Sequence, residues 1–315
     1  MVRSLSLLKI RHICEYLLFE MLVFFIRFCG IFVFKTIIVL LLILLFPILY
    51  KKIFSRYRLA KYNLSIIGVK NPSPLKMFFS MLQYIETFTM LTVYGSKLLE
   101  QNKKFHFIEE NPDIITNLKK NNEGFIIVSF HYGNWEMFPI YLKQRFDVNN
   151  HFIYKQQKNY LIDDRIRNTR SGVHGGVYPL RKGAKDIVTI PEVVKKGEAI
   201  DILIDQIQHI GSEPINLFNK SVKIGFTIQK IAAKHNIKLV PTFCYIDKSV
   251  DKKRYKIVFH EPISFQDVDK NNINQKTQEA TQKIVDIAMQ HILKDPYQWF
   301  CLFYKIFGEI PSDFK

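Results

Sequence analysis

The chain has 315 residues, enough for one large or two ordinary domains with a sizeable buried core. Apolar residues make up 48% and aromatics 14%, which excludes a disordered chain and suits contact with lipid. The net charge of +17 favours polyanionic partners, and without a zinc finger, an RNP-like sequence or a compact Arg-rich arm that points away from nucleic acid, toward an anionic membrane or an acidic carrier protein.

Residues 1–15 are basic and mixed, and residues 16–50 are strongly apolar, broken by Glu20, Arg27 and Lys35. The stretch 28–50 holds 23 residues with Lys35 as its sole charge, which predicts a membrane-crossing helix from which Lys35 snorkels. It is too long for a cleaved signal peptide, and no Ala-x-Ala site follows. Lys51, Lys52, Arg56, Arg58 and Lys61 come next, so the positive-inside rule places the rest of the chain in the cytoplasm, against the pull of Arg3, Lys9 and Arg11. The predicted division is an anchor over 1–60 and a second domain over 61–315.

Asn71-Pro-Ser-Pro74 breaks the chain, and 75–101 reads as an amphipathic helix carrying Met77, Met81, Phe88 and Met90. A short strand at 105–109 and a helix ending near 121 lead to Gly124 and the apolar run 125–130, a buried strand. His131 stands where that strand ends, and Asn134 is a candidate N-cap for a helix over 135–144. A strand at 151–154 ends at Lys155, and a helix at 161–169 ends near Arg170. Next come a strand at 177–180, a helix at 184–195 interrupted by Pro191, and a strand at 199–204 ending in Asp205-Gln206. A helix at 225–235, strands at 238–246 and 255–261, and a long helix at 274–293 complete the pattern. Strands alternating with helices predict an α/β fold with a mixed, mostly parallel sheet flanked by helices.

His131 and Glu136 are five apart and would not share a face of one helix. With His131 in a loop and Glu136 on the first helical turn, the carboxylate reaches the imidazole. It would hold one ring nitrogen protonated while the other acts as general base on a hydroxyl. Spacing alone equally allows a plain strand-end His and a Glu placed to suit the helix dipole. Asp205-Gln206 ends its own strand as His131 does, and parallel strands would bring both to one sheet edge. Gly225 and Thr227 open a helix whose first amides suit an anion. The four cysteines, Cys14, Cys29, Cys244 and Cys301, include no Cys-x-x-Cys, which fits a reducing compartment. His174 and His209, with Asp201 and Asp205, lack a metal-ligand pattern, so neither metal nor cofactor is expected. Gly-x-Ser-x-Gly and Walker loops are missing, leaving no support for serine or nucleotide hydrolases.

His-Tyr-Gly-Asn-Trp-Glu136 resembles the His-x4-Asp/Glu signature of glycerolipid-type acyltransferases, and its Asn-Trp-Glu ending is closest to the late acyltransferases of lipid A biosynthesis. Asp205-Gln206 and Lys196-Gly-Glu198 resemble further blocks of that family, and the similarity runs from the N-terminal apolar segment to about residue 310. The resemblance implies a glycerolipid acyltransferase-like domain over 61–315 in the bacterial inner membrane. His131 and Glu136 would be catalytic, with Arg170, Asp205, Gln206, Lys155 and Asn134 binding substrate. Arg170 matches the family's basic residue after the second block, to bind an acceptor anion or the oxyanion of a tetrahedral intermediate. Lys155 stands where the family has Arg, keeping the charge without the bidentate geometry. Acyl carrier protein would donate a lauroyl or myristoyl chain to a Kdo-bearing lipid A precursor. The ending Pro296-Tyr-Gln-Trp299 also resembles the family, but Cys301 and Phe303-Tyr-Lys305 replace its Trp and His-Arg-Arg cluster. That departure leaves open an acyl-CoA donor with another lipid acceptor, and a silent anionic-lipid-binding protein is the reading from a different class.

Overall fold

The computed structural model describes residues 2–44, 46–94, 106–154, 156–171, 177–181, 187–207, 211–248 and 254–314. Three helices come first: α1 (Val2–Leu44), α2 (Phe46–Ile67) and α3 (Pro74–Tyr94). They lead to β1 (His106–Glu110), α4 (Asp113–Lys120), β2 (Phe125–Ser129), a 3-10 turn (Trp135–Met137) and α5 (Phe138–Phe146). Next are β3 (Asn150–Tyr154), α6 (Tyr160–Ser171), β4 (Val177–Arg181), α7 (Ile190–Lys195) and β5 (Ala199–Leu203). A hairpin of β6 (Ser212–Leu217) and β7 (Lys220–Gly225) precedes α8 (Thr227–His235), β8 (Leu239–Asp247), β9 (Arg254–Phe259) and α9 (Ile273–Lys294). Two 3-10 turns, Pro296–Gln298 and Phe300–Phe303, follow α9.

The main sheet has the order β1-β9-β8-β2-β5-β3-β4. β8, β2, β5, β3 and β4 run parallel, while β9 is antiparallel to β8 and β1 parallel to β9. This is the mixed, mostly parallel sheet that the alternation of elements predicts. β2 lies between β8 and β5 with helices on both faces, so its run Phe-Ile-Ile-Val-Ser is buried at every position. Ile126 and Val128 pack with α8 and α9 residues such as Ala232, Ile284 and Ile292. Phe125 and Ile127 face the other way, onto Leu118 of α4 and Leu142 and Phe146 of α5, as a period of two requires. From β2 the chain enters α5 on one face, and from its neighbour β5 it enters α8 on the opposite face. The carboxyl ends of these two strands therefore flank a topological switch point, where open α/β sheets hold ligands.

Two sequence expectations shift here. The hairpin β6–β7 was not foreseen, because its two-residue turn uses Phe218 and Asn219, both at positive φ (51° and 60°), without a glycine. It also pushes the start of α8 from residue 225 to Thr227. Pro191 sits in the first turn of α7, a place where its missing N–H leaves no bond unmade, and residues 184–186 of the predicted helix lie outside the described residues. The predicted helix 75–101 is described to Tyr94 only.

The membrane-crossing helix is corrected. Among the described residues no helix is long and apolar enough to cross a membrane. Gly30, at φ 82° and ψ 165°, breaks α1 inside the predicted 28–50 span, in a conformation open chiefly to glycine. Lys35 does not snorkel; it is paired with Glu86 of α3. Further polar groups of α1 also turn inward, though Lys9 and Arg11 stay exposed: Arg27 donates to the Val93 carbonyl, and Glu20 and Glu15 meet Arg165 and Asn159 of the α6 region. Ile10, Leu18, Met21, Phe24, Phe28 and Leu44 are left exposed on the outside, with Phe28 at 84%.

Candidate active site

The β2–α5 corner is shaped by a glycine and by the segment after α9. Gly133 has φ 66°, and a Cβ there would lie 2.4 Å from both the Cys244 carbonyl oxygen and the Tyr245 Cα. No side chain fits so close to β8. The Gly133 N–H donates to the Gln298 carbonyl (2.8 Å), the Asn134 N–H to Cys244 O (2.7 Å), and the Phe300 N–H to His131 O (2.8 Å). Gln298 in turn clamps β8, accepting from the Ile246 N–H and donating to its carbonyl.

His131 comes to rest against Asp205, not Glu136. Its Nδ1 lies 2.6 Å from Asp205 Oδ1, and its backbone N–H donates to Oδ2 at 2.9 Å. Trp299 Nε1 donates to the same Oδ2 at 2.8 Å, and the Cys301 thiol adds a further hydrogen bond. Burial by itself would raise the Asp205 carboxyl, but the charge and hydrogen bonds of His131, with Trp299 and Cys301, hold it below the usual carboxylate range. Asp205 is thus a buried carboxylate that fixes the proton of His131 on Nδ1. That leaves Nε2 with its lone pair toward the cleft, where Gln206 Nε2 stands 3.3 Å away. The imidazole is packed against Trp135 and Phe300.

The expected His131–Glu136 contact is therefore corrected. Glu136 accepts two hydrogen bonds from Arg170 Nη2, at 2.8 and 3.0 Å. The guanidinium outcompetes a neutral imidazole for that carboxylate. Arg170 consequently stands engaged, its guanidinium also 5.2 Å above the Phe152 ring. Asn134 occupies the N-cap position without a capping bond; its amide is buried and turned to the Met137 sulfur. Lys155 lies outside the described residues, as do His174 and His209.

His131, Trp135, Glu136, Phe152, Arg170, Asp201, Gln206 and Thr227 share a cleft of about 390 Å³ at the carboxyl edge of β2 and β5. A larger basin of about 760 Å³ lies beyond Tyr132, lined by Lys76, Lys248, Lys256 and Lys294, but His131 does not open into it. Donor atoms of His131, Asp205 and Cys301 lie within 4.8 Å of one another. They are closed on themselves by hydrogen bonds, and burial beside Asp205 pushes the Cys301 thiol well up, so it stays protonated and is a poor metal ligand.

Trp299 completes the Asp205 cluster, a place that its sequence neighbours do not give it. The Pro-x-Gln-Trp stretch stands out in the sequence, but nothing local links residue 299 to a carboxylate 94 positions earlier.

The sequence model of one family, described as bacterial lipid A biosynthesis acyltransferase, matches residues 4–306. No curated protein matches the chain.

Proposed function

Since the chain belongs to the bacterial lipid A biosynthesis acyltransferase family, we propose that it moves a lauroyl or myristoyl chain from acyl carrier protein to a hydroxyl of a Kdo-bearing lipid A precursor. The observation that carries the chemistry is the 2.6 Å contact between His131 Nδ1 and Asp205. It supports His131 Nε2 as the general base.

The acceptor hydroxyl displaces Gln206 from Nε2 and gives up its proton there. Its oxygen attacks the thioester carbonyl, forming a tetrahedral oxyanion, to which the freed Gln206 amide is the nearest donor. Collapse breaks the C–S bond, and the imidazolium returns its proton to the departing thiolate. Ester and free thiol leave, with no acyl-enzyme formed. Asp205 steadies the imidazolium throughout, and Glu136 anchors Arg170 at the cleft wall.

The donor assignment is supported by the net charge of +17, which suits an acidic carrier. A place at the cytoplasmic face of the bacterial inner membrane is supported by α1. Large apolar side chains such as Phe24 and Phe28 face outward while Glu20, Arg27 and Lys35 are held by α3 and α6, which suits a protein seated in the interface without crossing it.

The test is acyl transfer from lauroyl- or myristoyl-acyl carrier protein to Kdo2-lipid IVA, with wild type and His131→Ala, and the same acyl groups on CoA as a second arm. Transfer by wild type that disappears in the variant is expected. Equal rates in the two proteins would remove His131 from the mechanism, and preference for CoA would replace the donor.

A further inference from the structure

Asp201 is a carboxyl in an apolar setting. It lies mid-strand on β5, paired with Ile127 of β2 on one side and Phe152 of β3 on the other. Ile200 and Ile202 beside it enter the core under α8 and α9, so Asp201 points to the opposite face. The residue is 7% exposed, and what is exposed opens into the cleft. Among the described residues its one hydrogen-bonding neighbour is the Asn150 amide, at a contact too loose to satisfy that amide. Asn150, next to it and fully buried, has neither amide atom satisfied. Arg170, on the same cleft, holds Glu136 through Nη2 while its Nε is buried without a partner. A sheet gains nothing from a carboxyl here; an aliphatic side chain would fill the site without the cost of burying a charge.

We propose that Asp201 is a further substrate-binding residue, whose open carboxyl oxygen takes a neutral hydrogen-bonding group of the acceptor, a hydroxyl or an amide. The inference rests on the reading of this cleft as the acceptor's site and specifies what part of the acceptor occupies its inner end. Three kinds of group compete for that place. A phosphate or carboxylate would meet the cleft's carboxyls Asp201, Glu136 and Asp163, with the Arg170 guanidinium already committed, and is repelled. An acyl chain would seal the Asp201 oxygens and Arg170 Nε away from water with nothing to bond, at the cost of stranding buried polar groups. A hydroxyl or amide both donates and accepts, and so satisfies the carboxyl in either protonation state. Burial first, then the neighbouring Glu136 charge, lifts Asp201 to about 7, with the Asn150 amide working the other way. A group at that balance suits a neutral ligand better than an ion of either sign.

The test uses two single-tailed probes with the same octyl chain, octyl β-glucoside and octyl phosphate, below their micelle-forming concentrations. Binding is followed by NMR on wild type, Asp201→Asn and Asp201→Leu. Wild type is expected to bind the glucoside about tenfold more tightly than the phosphate, the scale of one buried hydrogen bond gained against one like-charge contact. Asp201→Leu should lose about tenfold for the glucoside, whereas Asp201→Asn, which keeps a donor and an acceptor, should stay within about threefold. The proposal is overturned if the phosphate binds as well as the glucoside, if the glucoside does not bind wild type, or if leucine leaves its affinity unchanged. Should the leucine protein misfold, the probe comparison on wild type and the asparagine variant still decides. None of these readouts needs turnover, so failure of acyl transfer and failure of this proposal are told apart.

Discussion

Asp205 gathers donors from two distant parts of the chain, His131 and the segment 299–301, and each side chain involved has a separable task. Replacing its carboxylate by an amide keeps the shape but offers Nδ1 an N–H in place of an acceptor. The imidazole then turns to the other tautomer and its Nε2 carries the proton. Asp205→Asn should therefore lower kcat for acyl transfer by about 10³-fold or more, with little change in acceptor KM. Glu136→Gln frees Arg170 instead, and is expected to raise acceptor KM more than it lowers kcat. Steady-state kinetics of the two variants separates the roles; equal losses of kcat would return Glu136 to the place beside the base. The strand ends at His131 and Asp205 are both legible in sequence, because an apolar run followed by polar residues marks each. Their pairing is not. It depends on β5 inserting next to β2, a choice of sheet order that no local pattern carries. For the same reason Glu136, near in sequence and on the right turn, is the natural but mistaken partner.

At the scale of elements, α1 shows how far composition reads and where it stops. An apolar run announces itself in any sequence, but which side of it faces protein depends on what packs there. Arg27, Lys35 and Glu20 look like interruptions of a lipid-facing stretch, and in the fold they are the contacts with α3 and α6. A glycine in mid-run was likewise readable as neutral, whereas at φ 82° it divides the helix. Phe24 and Phe28 stand 71% and 84% exposed on the outer side. Charging them as Phe24→Glu, Phe28→Glu is expected to weaken partition onto phosphatidylglycerol-containing vesicles by about tenfold or more per ring. Transfer to a detergent-dispersed acceptor should persist in the double variant. Flotation on a density gradient checks this, and a variant that floats with wild type would refute the interfacial seat.

For the molecule as a whole, two buried titratable groups limit stability from opposite sides. His291 donates or accepts a 2.8 Å hydrogen bond with His260 and is stacked on Phe243. Burial, then the neighbouring His260 and Lys294, lowers it to about 3. A depressed value means the unfolded chain takes up the proton first. Stability is complete above about pH 6.5 and falls toward pH 3, by up to about 1.4 kcal/mol per unit. Asp201 acts in reverse: raised to about 7, its contribution is full below the unfolded value near 3.8 and is lost as pH climbs through 7. Asp201→Asn should accordingly raise the melting temperature at pH 8 and leave it nearly unchanged at pH 4. Thermal unfolding at the two pH values decides, and a gain of equal size at both would mean that ionisation of Asp201 is not the cause. The order in which the parts are made has its own consequence. Trp299 and Phe300, which tie down Asp205 and His131, lie beyond the last strand and the last long helix. During synthesis the ribosome has therefore made every strand before the His131 ring is locked in its orientation. On the proposed mechanism a half-finished chain would bring its sheet together but have no working base, so synthesis itself would delay the first turnover.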